Sequence, residues 1–187
     1  MLAYNAPTTA IRTPREVCSP FSDLRADAAP SLWLASDGRR IIVTRTRNGY
    51  GCSISLRPIS RTGWLPLASL RRVSLPPSPP TAWIGTWRGL RPQQEQRISI
   101  RRVGATLVAR GLDVFDDPYY RARNMIPTGD FHGNLRLVGN RAEVLLTTSD
   151  PCRVRAWLFG DDLLVVDNHR CGGINVTFRG VYRRSKP

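Results

Sequence analysis

Histidine and lysine are scarce in this sequence of 187 residues, and long apolar runs are absent. The histidines are His132 and His169, and Lys186 is the one lysine among 28 basic residues. Neither histidine is accompanied by a Gly-x-Ser-x-Gly nucleophile elbow, and no Cys-x-x-Cys pair offers a structural zinc site. No apolar run approaches the roughly 20 residues that a membrane-spanning helix needs. These absences favour a non-enzymatic protein with no metal, no cofactor and no integral membrane span.

Two acidic pairs, Asp116-Asp117 and Asp161-Asp162, are the remaining candidates for chemistry. A glycosidase needs two carboxyl groups that face each other across the substrate, which adjacent turn residues do not do. A calcium ion needs more oxygen ligands than the neighbouring residues supply. We therefore interpret both pairs as turn residues.

The formal net charge of +14 indicates attraction to anions. The charge is spread evenly, because residues 1–77 carry 11 arginines against 4 acidic residues and residues 78–187 carry 17 basic against 10 acidic residues. No basic arm stands out, so we expect weak, non-specific polyanion binding at low salt. A cytosolic nucleic-acid-binding protein is an alternative, and it would require reduced cysteines and a continuous arginine track.

The four cysteines predict two disulfides and an oxidising compartment. Two β-rich runs between Cys152 and Cys171 surround the turn Gly160-Asp161-Asp162. Symmetric pairing about Asp161-Asp162 places Cys152 opposite Cys171, close enough for a disulfide. Cys18 and Cys52 remain as the second pair. We expect a periplasmic or secreted protein, although the first twenty residues show no apolar core of a secretory signal.

Residues 1–17 predict a flexible lead, and residues 18–74 predict a small β-barrel. Strands are expected at 31–35, 40–45 and 52–57, with turns at Asp37-Gly38 and Asn48-Gly49. The following run, Gly63-Trp64-Leu65-Pro66, resembles the closing strand of bacterial SH3-like domains. The resemblance implies an SH3-like fold. Trp64 is expected either to pack in the core or, since SH3-like domains bind peptides across aromatic grooves, to be a partner-binding residue.

Four prolines make residues 75–80 an extended spacer, and residues 81–187 form the second predicted domain. Its short β-rich runs, separated by turn signals, predict an antiparallel barrel or curled sandwich of seven or eight strands. Residues 116–120 predict a loop with one helical turn. After an opening run at 83–87, the strands are expected at 97–102, 106–109, 134–138, 142–147, 153–159, 163–166 and 175–182.

Gly85-Thr86-Trp87 and the closing pair Arg183-Arg184 resemble the paired ends of lipocalin-like barrels, in which an arginine of the last strand packs on a tryptophan of the first. The run from Asp167 to Arg184 also resembles a DN…CGGxNVxFxGxY ending of bacterial envelope proteins. Some of those proteins are similar to periplasmic lysozyme inhibitors, and some carry an SH3-like domain in front. This resemblance implies an exported, non-enzymatic protein with a lipocalin-like second domain.

The run Cys171-Gly172-Gly173-Ile174-Asn175 allows a close backbone approach. We interpret it either as a tight turn before the last strand or as a site for a partner's loop, which makes Gly172, Gly173 and Asn175 candidate partner-binding residues. The expected partner is an envelope protein or cell-wall component: a cell-wall hydrolase to be inhibited, a peptidoglycan peptide or an anionic glycan. An alternative is a carrier of a small apolar ligand, with an interior lined by Leu107, Leu137, Leu145, Trp157 and Val165.

Overall fold

The computed structural model describes residues 13–21, 29–56, 61–91, 94–146 and 152–185. It contains two compact units, which divide between Val73 and Ser74. Both units are built from antiparallel strands, which confirms the predicted all-β fold. No helix in the described ranges is long and apolar enough to cross a membrane.

The first unit is a five-stranded sheet in the order β4-β3-β2-β1-β5. Asn48 and Gly49 both have positive φ, of 49° and 75°, as the two-residue turn between β2 and β3 requires. The predicted closing stretch divides into β4, a 3-10 turn at Leu67–Ser69 and the start of β5, which pairs with β1. The strands are β1 (Ser31–Ala35), β2 (Arg40–Arg47), β3 (Tyr50–Ser55), β4 (Thr62–Pro66) and β5 (Leu70–Val73).

The second unit is a closed eight-stranded barrel. Of the two predicted forms, an antiparallel barrel and a curled sandwich, it is the barrel that forms. Each strand pairs antiparallel with the next, and β13 closes the ring by pairing with β6. One turn of helix, α1 (Pro118–Arg121), follows β8 at the predicted place. The strands are β6 (Gly85–Gly89), β7 (Gln94–Val103), β8 (Thr106–Phe115), β9 (Thr128–Val138), β10 (Arg141–Leu146), β11 (Val154–Phe159), β12 (Asp162–Asp167) and β13 (Gly180–Arg184).

Large side chains fill the barrel. The predicted ligand-lining residues Leu107 and Val165 belong to this core, and Leu137 packs against it. The prediction is wrong for the other two, because Leu145 is 49% exposed and Trp157 lies on the opposite side of β11 from the core residues that flank it. The aromatic core residues are Trp83, Trp87, Phe131, Phe178 and Tyr182.

The β11–β12 hairpin has a different register from the predicted one. Phe159 pairs with Asp162, so Gly160 and Asp161 form the turn and Asp162 begins β12 as a buried residue. The predicted register is therefore wrong by two residues. The disulfide between Cys152 and Cys171 nevertheless forms, with a Cα–Cα distance of 4.6 Å, because the chain leaves β12 after Asp167 and turns back toward β11.

The predicted strand at 175–182 is wrong over its first half, because β13 begins at Gly180. The buried carboxylate of Asp167 holds this irregular segment by accepting hydrogen bonds from Phe178 N at 2.7 Å and from Thr177 Oγ1 at 3.1 Å. Gln94 Nε2 donates to the carbonyl of Asn175 at 2.8 Å. These side chains satisfy backbone groups that a strand would have paired in a ladder.

The proline-rich segment is attached to the barrel. Ser78 N donates to Asn140 Oδ1 at 2.6 Å, and Asn140 Nδ2 donates to the carbonyl of Pro76 at 2.9 Å. Asn140 lies between β9 and β10, so these two hydrogen bonds attach the proline-rich segment to the turn between those strands.

Arg184 spans the point where the barrel closes. Its guanidinium lies 4.1 Å from the ring centre of Trp87 and donates to the carbonyls of Ile84 at 2.5 Å and Ala82 at 2.6 Å. Gly85 has φ of 142°, and a Cβ there would lie 2.9 Å from the Arg184 guanidinium. Arg183 instead pairs with buried Asp162 at 3.4 Å. Of the two candidate arginines, Arg184 is the one that packs on the tryptophan.

Asp113 and Gln96 form a buried polar pair beneath the irregular segment. The Asp113 carboxylate accepts from Thr177 N at 3.0 Å, while Asp113 Oδ1 and Gln96 Oε1 have no hydrogen-bond partner among the described residues. Burial raises the pKa of Asp113 from 3.8 to about 6, against the opposing effects of Thr177 N–H, Gln96 and Arg91.

Replacing Arg184 with Met should lower the free energy of unfolding by about 3 kcal/mol, because two carbonyls lose charged donors. Chemical denaturation measures this change. Arg97→Met is the matched control, since Arg97 is exposed and has no partner among the described residues. Equal losses in the two variants would contradict a closing role for Arg184.

Asp113→Asn should change how stability depends on pH. The folded chain binds the Asp113 proton more tightly than the unfolded chain, which contributes up to about 3 kcal/mol. That contribution is complete below pH 3.8 and is lost as pH rises through about 6. The variant is uncharged at every pH. Its free energy of unfolding should therefore rise relative to that of the wild type as pH increases from about 4 to about 8.

Urea denaturation across this pH range tests the effect of Asp113. Asp130→Asn, which alters an exposed carboxylate, serves as the control. A stability difference between Asp113→Asn and the wild type that stays constant with pH would show that the carboxyl does not titrate as described.

Candidate functional site: an arginine-rich face of the second barrel

The outer side of β7–β9 carries a group of arginines. Along β7, Ile98 and Ile100 point into the core, so Arg97 and Arg101 point outward. The same alternation places Arg110 of β8 on the outside. We call Arg97, Arg101 and Arg110 the arginine face, and all three side chains are exposed.

Strand register brings these arginines together. Arg97 lies opposite Leu112 and Arg101 lies opposite Val108, so Arg110 is diagonal to both arginines. Diagonal neighbours on one side of an antiparallel pair are about 7–8 Å apart. Arg110 also lies between Ser99 and His132 in a row across three strands. The strand register therefore places the three arginine side chains in one group on the outer surface.

Like charges continue onto the neighbouring strand. Arg88 lies directly opposite Arg97 on one side and Arg183 on the other. Arg88 Nε donates to Ser185 Oγ at 3.2 Å, whereas Arg183 is neutralised by Asp162. Directly opposed like charges destabilise a sheet, and an external anion would reduce this repulsion.

The arginine face borders a concavity of about 600 Å³. Two carboxylates share the outer side of β6–β9, those of Asp130 and Glu95. Arg97, Arg101 and Arg110 have no carboxylate partner among the described residues. The concavity is lined by Ser99, Arg101, Val108, Arg110, Asp130 and His132. Seven carboxylates pair with arginines elsewhere: Glu16, Asp37, Asp116, Glu143, Asp161, Asp162 and Asp167.

Ser99, His132 and Asp130 share this concavity without the contacts of a hydrolytic triad. Arg110 separates Ser99 from His132 by one strand. Ser99 Oγ donates to the carbonyl of Arg110 at 3.5 Å, and His132 makes no side-chain hydrogen bond within the described ranges. A nucleophile and its base need direct hydrogen-bond contact.

Trp64 is covered by the chain's own N-terminal segment. Its indole N–H donates to the carbonyl of Glu16 at 2.8 Å, and Arg45 lies 5.1 Å from its ring centre. Glu16 pairs with Arg45 at 3.3 Å. The disulfide between Cys18 and Cys52 holds this segment against β3, where Cys52 lies opposite Trp64. An internal segment therefore lies on the aromatic residue that was predicted to bind a partner.

Gly172 packs against β9. A Cβ on Gly172 would lie 2.9 Å from the Cα of Gly129, and Gly173 N donates to the carbonyl of Thr128 at 3.2 Å. Asn175 has φ of 64°, and its Nδ2 donates to Tyr120 Oη at 3.4 Å. Gly172 packs closely on β9 on one side, and Gly172, Gly173 and Asn175 are all exposed.

The arginine face was missed in the sequence although a signal was present. Arg97-Ile98-Ser99-Ile100-Arg101 alternates polar and apolar residues, which places both arginines on one side of a strand. The register with β8, which brings in Arg110, depends on long-range pairing and had no local signal. No protein-family model matches the chain, and comparisons with curated proteins and with solved structures give no significant match.

Removing the disulfide between Cys18 and Cys52 by Ala substitution at both positions should loosen the cover on Trp64. We expect the indole N–H of Trp64 to exchange with solvent about tenfold faster, since the loop-closing constraint is lost. NMR-detected exchange measures this rate. The indole N–H of Trp87, which donates to Trp83 in the second unit, is the internal control. Unchanged protection of Trp64 would mean that the disulfide does not hold the segment in place.

Proposed function

We propose that this chain is a non-enzymatic, extracytoplasmic binding protein whose arginine face holds an anionic glycan of the bacterial cell envelope. The observation that carries the proposal is that Arg97, Arg101 and Arg110 converge without a carboxylate partner among the described residues. Guanidinium groups form strong, charge-assisted hydrogen bonds with carboxylates and phosphates. The repeated acidic groups of a polymer would meet several of them at once.

The two disulfides support the proposed compartment. Cys18–Cys52 and Cys152–Cys171 include all four cysteines of the chain. Disulfides persist in oxidising compartments and are rare in the cytosol. A nucleic acid is therefore the less favoured polyanion, and the cytosolic alternative would require four free thiols in protein from its native host.

The residues around the arginine face suit a glycan better than a single-stranded nucleic acid. The outward positions of β6–β9 carry no tryptophan, tyrosine or phenylalanine among the described residues. Proteins that bind single-stranded nucleic acids stack bases on aromatic side chains. Ser99, His132 and Asn134 instead provide hydrogen-bonding groups beside the arginines, which suits a hydroxyl-rich anionic chain.

The test measures binding of polygalacturonate and of a glycerol-phosphate polymer near physiological salt. Arg101→Gln with Arg110→Gln should weaken binding by about tenfold, equivalent to about 1.4 kcal/mol. Arg71→Gln with Arg72→Gln removes the same charge from exposed positions of β5 and should change binding less than about twofold.

Equal losses in the two double variants would show that net charge alone attracts the polymer and would overturn the proposed site. Tighter binding of a DNA duplex than of either glycan, at equal salt, would favour the nucleic-acid alternative.

A further inference from the structure

Four exposed apolar side chains lie at one end of the second barrel. They belong to the loop after β8, which contains α1, and to the loop after β12. In an up-and-down barrel the loops that follow alternate strands lie at the same end, and the hydrogen bond from Gly173 N to the carbonyl of Thr128 joins the two. We call these side chains the apolar tip: Tyr119 (58% exposed), Met125 (56%), Ile126 (40%) and Ile174 (70%).

Tyr120 links the two loops. Its ring makes edge contacts with Phe115 at 5.9 Å and with Tyr119 at 5.3 Å between ring centres. Its hydroxyl accepts from Asn175 Nδ2, and its carbonyl accepts from Met125 N at 3.0 Å. The apolar tip therefore lies beside the packed rings of Phe115, Tyr119 and Tyr120.

The second loop is fixed from below. Cys171 is bonded to Cys152, and Gly172 packs directly on Gly129 of β9. Ile174 therefore projects from a segment that is held on both sides. Exposed apolar residues that cluster into one patch mark an interaction surface.

The charge around the apolar tip is positive. The guanidinium of Arg123 lies 3.7 Å from the ring centre of Tyr119, and Arg170 is exposed four residues before Ile174. Of the nearby carboxylates, Asp116 pairs with Arg121, while Asp117 accepts from Tyr119 N at 2.8 Å and keeps its charge, so the arginines are still in excess.

Apolar side chains, a tyrosine and flanking arginines are the composition of segments that enter the boundary between lipid headgroups and acyl chains. Arginines near the surface add attraction to anionic lipids. Four separate side chains on two loops suit a fluid surface, which needs no complementary shape. We propose that the apolar tip docks onto an anionic lipid membrane by inserting Met125, Ile126 and Ile174 beneath the headgroups. This site is separate from the arginine face, so each can fail without the other.

The test is co-sedimentation of the full chain with phosphatidylcholine vesicles that contain about 30 mol % phosphatidylglycerol, at about 0.15 M salt. Met125→Ser with Ile174→Ser should lower the partition coefficient by about tenfold. Val138→Ser with Leu145→Ser is the matched control, since these side chains are 58% and 49% exposed elsewhere on the barrel. The control should stay within about twofold of the wild type.

Two results would overturn the proposal: no binding of the wild type to the anionic vesicles, or equal binding of the wild type and the Met125/Ile174 variant. Arg101→Gln with Arg110→Gln separates the two sites. If that variant alone loses vesicle binding, lipid is attracted by the arginine face, and the docking role of the apolar tip fails while glycan binding stands. If the Met125/Ile174 variant loses vesicle binding but keeps glycan binding, the apolar tip is supported whatever the fate of the glycan proposal.

Discussion

A buried carboxylate, that of Asp167, sets the course of the chain between the last two strands of the barrel. It accepts from Thr177 and Phe178, and it pairs with Arg179 at 3.4 Å. Residues 168–179 cross the barrel end and contact β7, β8 and β9 before β13 pairs with β12 and β6 and closes the ring. The same crossing presents Ile174 to solvent. Because a buried charge without partners is very costly, this one carboxylate ties barrel closure to the geometry of the exposed loop.

The use of acidic residues explains why an arginine-rich surface is left over. Several of the 14 carboxylates have structural duties: Asp117 caps a helix, Asp167 orders a loop, and Asp162 neutralises Arg183 beside the closing strand. With 28 basic residues, the chain has many more cations than these duties consume. The excess would be unremarkable if it were dispersed. Strand register instead places three arginines on one side of β7 and β8, and none of the three forms an ion pair with a described carboxylate.

The sequence was sufficient to predict the all-β architecture, but it did not predict the register of the β11–β12 hairpin. Alternation and turn residues predicted the strands, and the cysteines predicted two disulfides that the structure contains. The β11–β12 register was wrong because Gly160 adopts positive φ, which favours a two-residue turn one position earlier than the acidic pair suggested. Residues 175–179 resemble a strand locally, yet Asp167 and Gln94 supply their partners. Gln94 lies 81 residues from Asn175, and Glu16, whose carbonyl accepts from the Trp64 indole, lies 48 residues from Trp64. No local pattern could have revealed these two contacts, whereas Asp167 lies only 10 residues from Thr177.

Net charge and fixed geometry have separate consequences for binding. Surface charges are screened over about 8 Å at physiological salt, so a charge of +14 speeds encounter with any polyanion and distinguishes poorly among them. Discrimination requires groups whose positions are set before the ligand arrives. The arginine face meets this condition through strand pairing, and the apolar tip meets it through Tyr120 and the Cys152–Cys171 disulfide. Selectivity should therefore be more sensitive to the barrel's internal hydrogen bonds than to the number of surface charges.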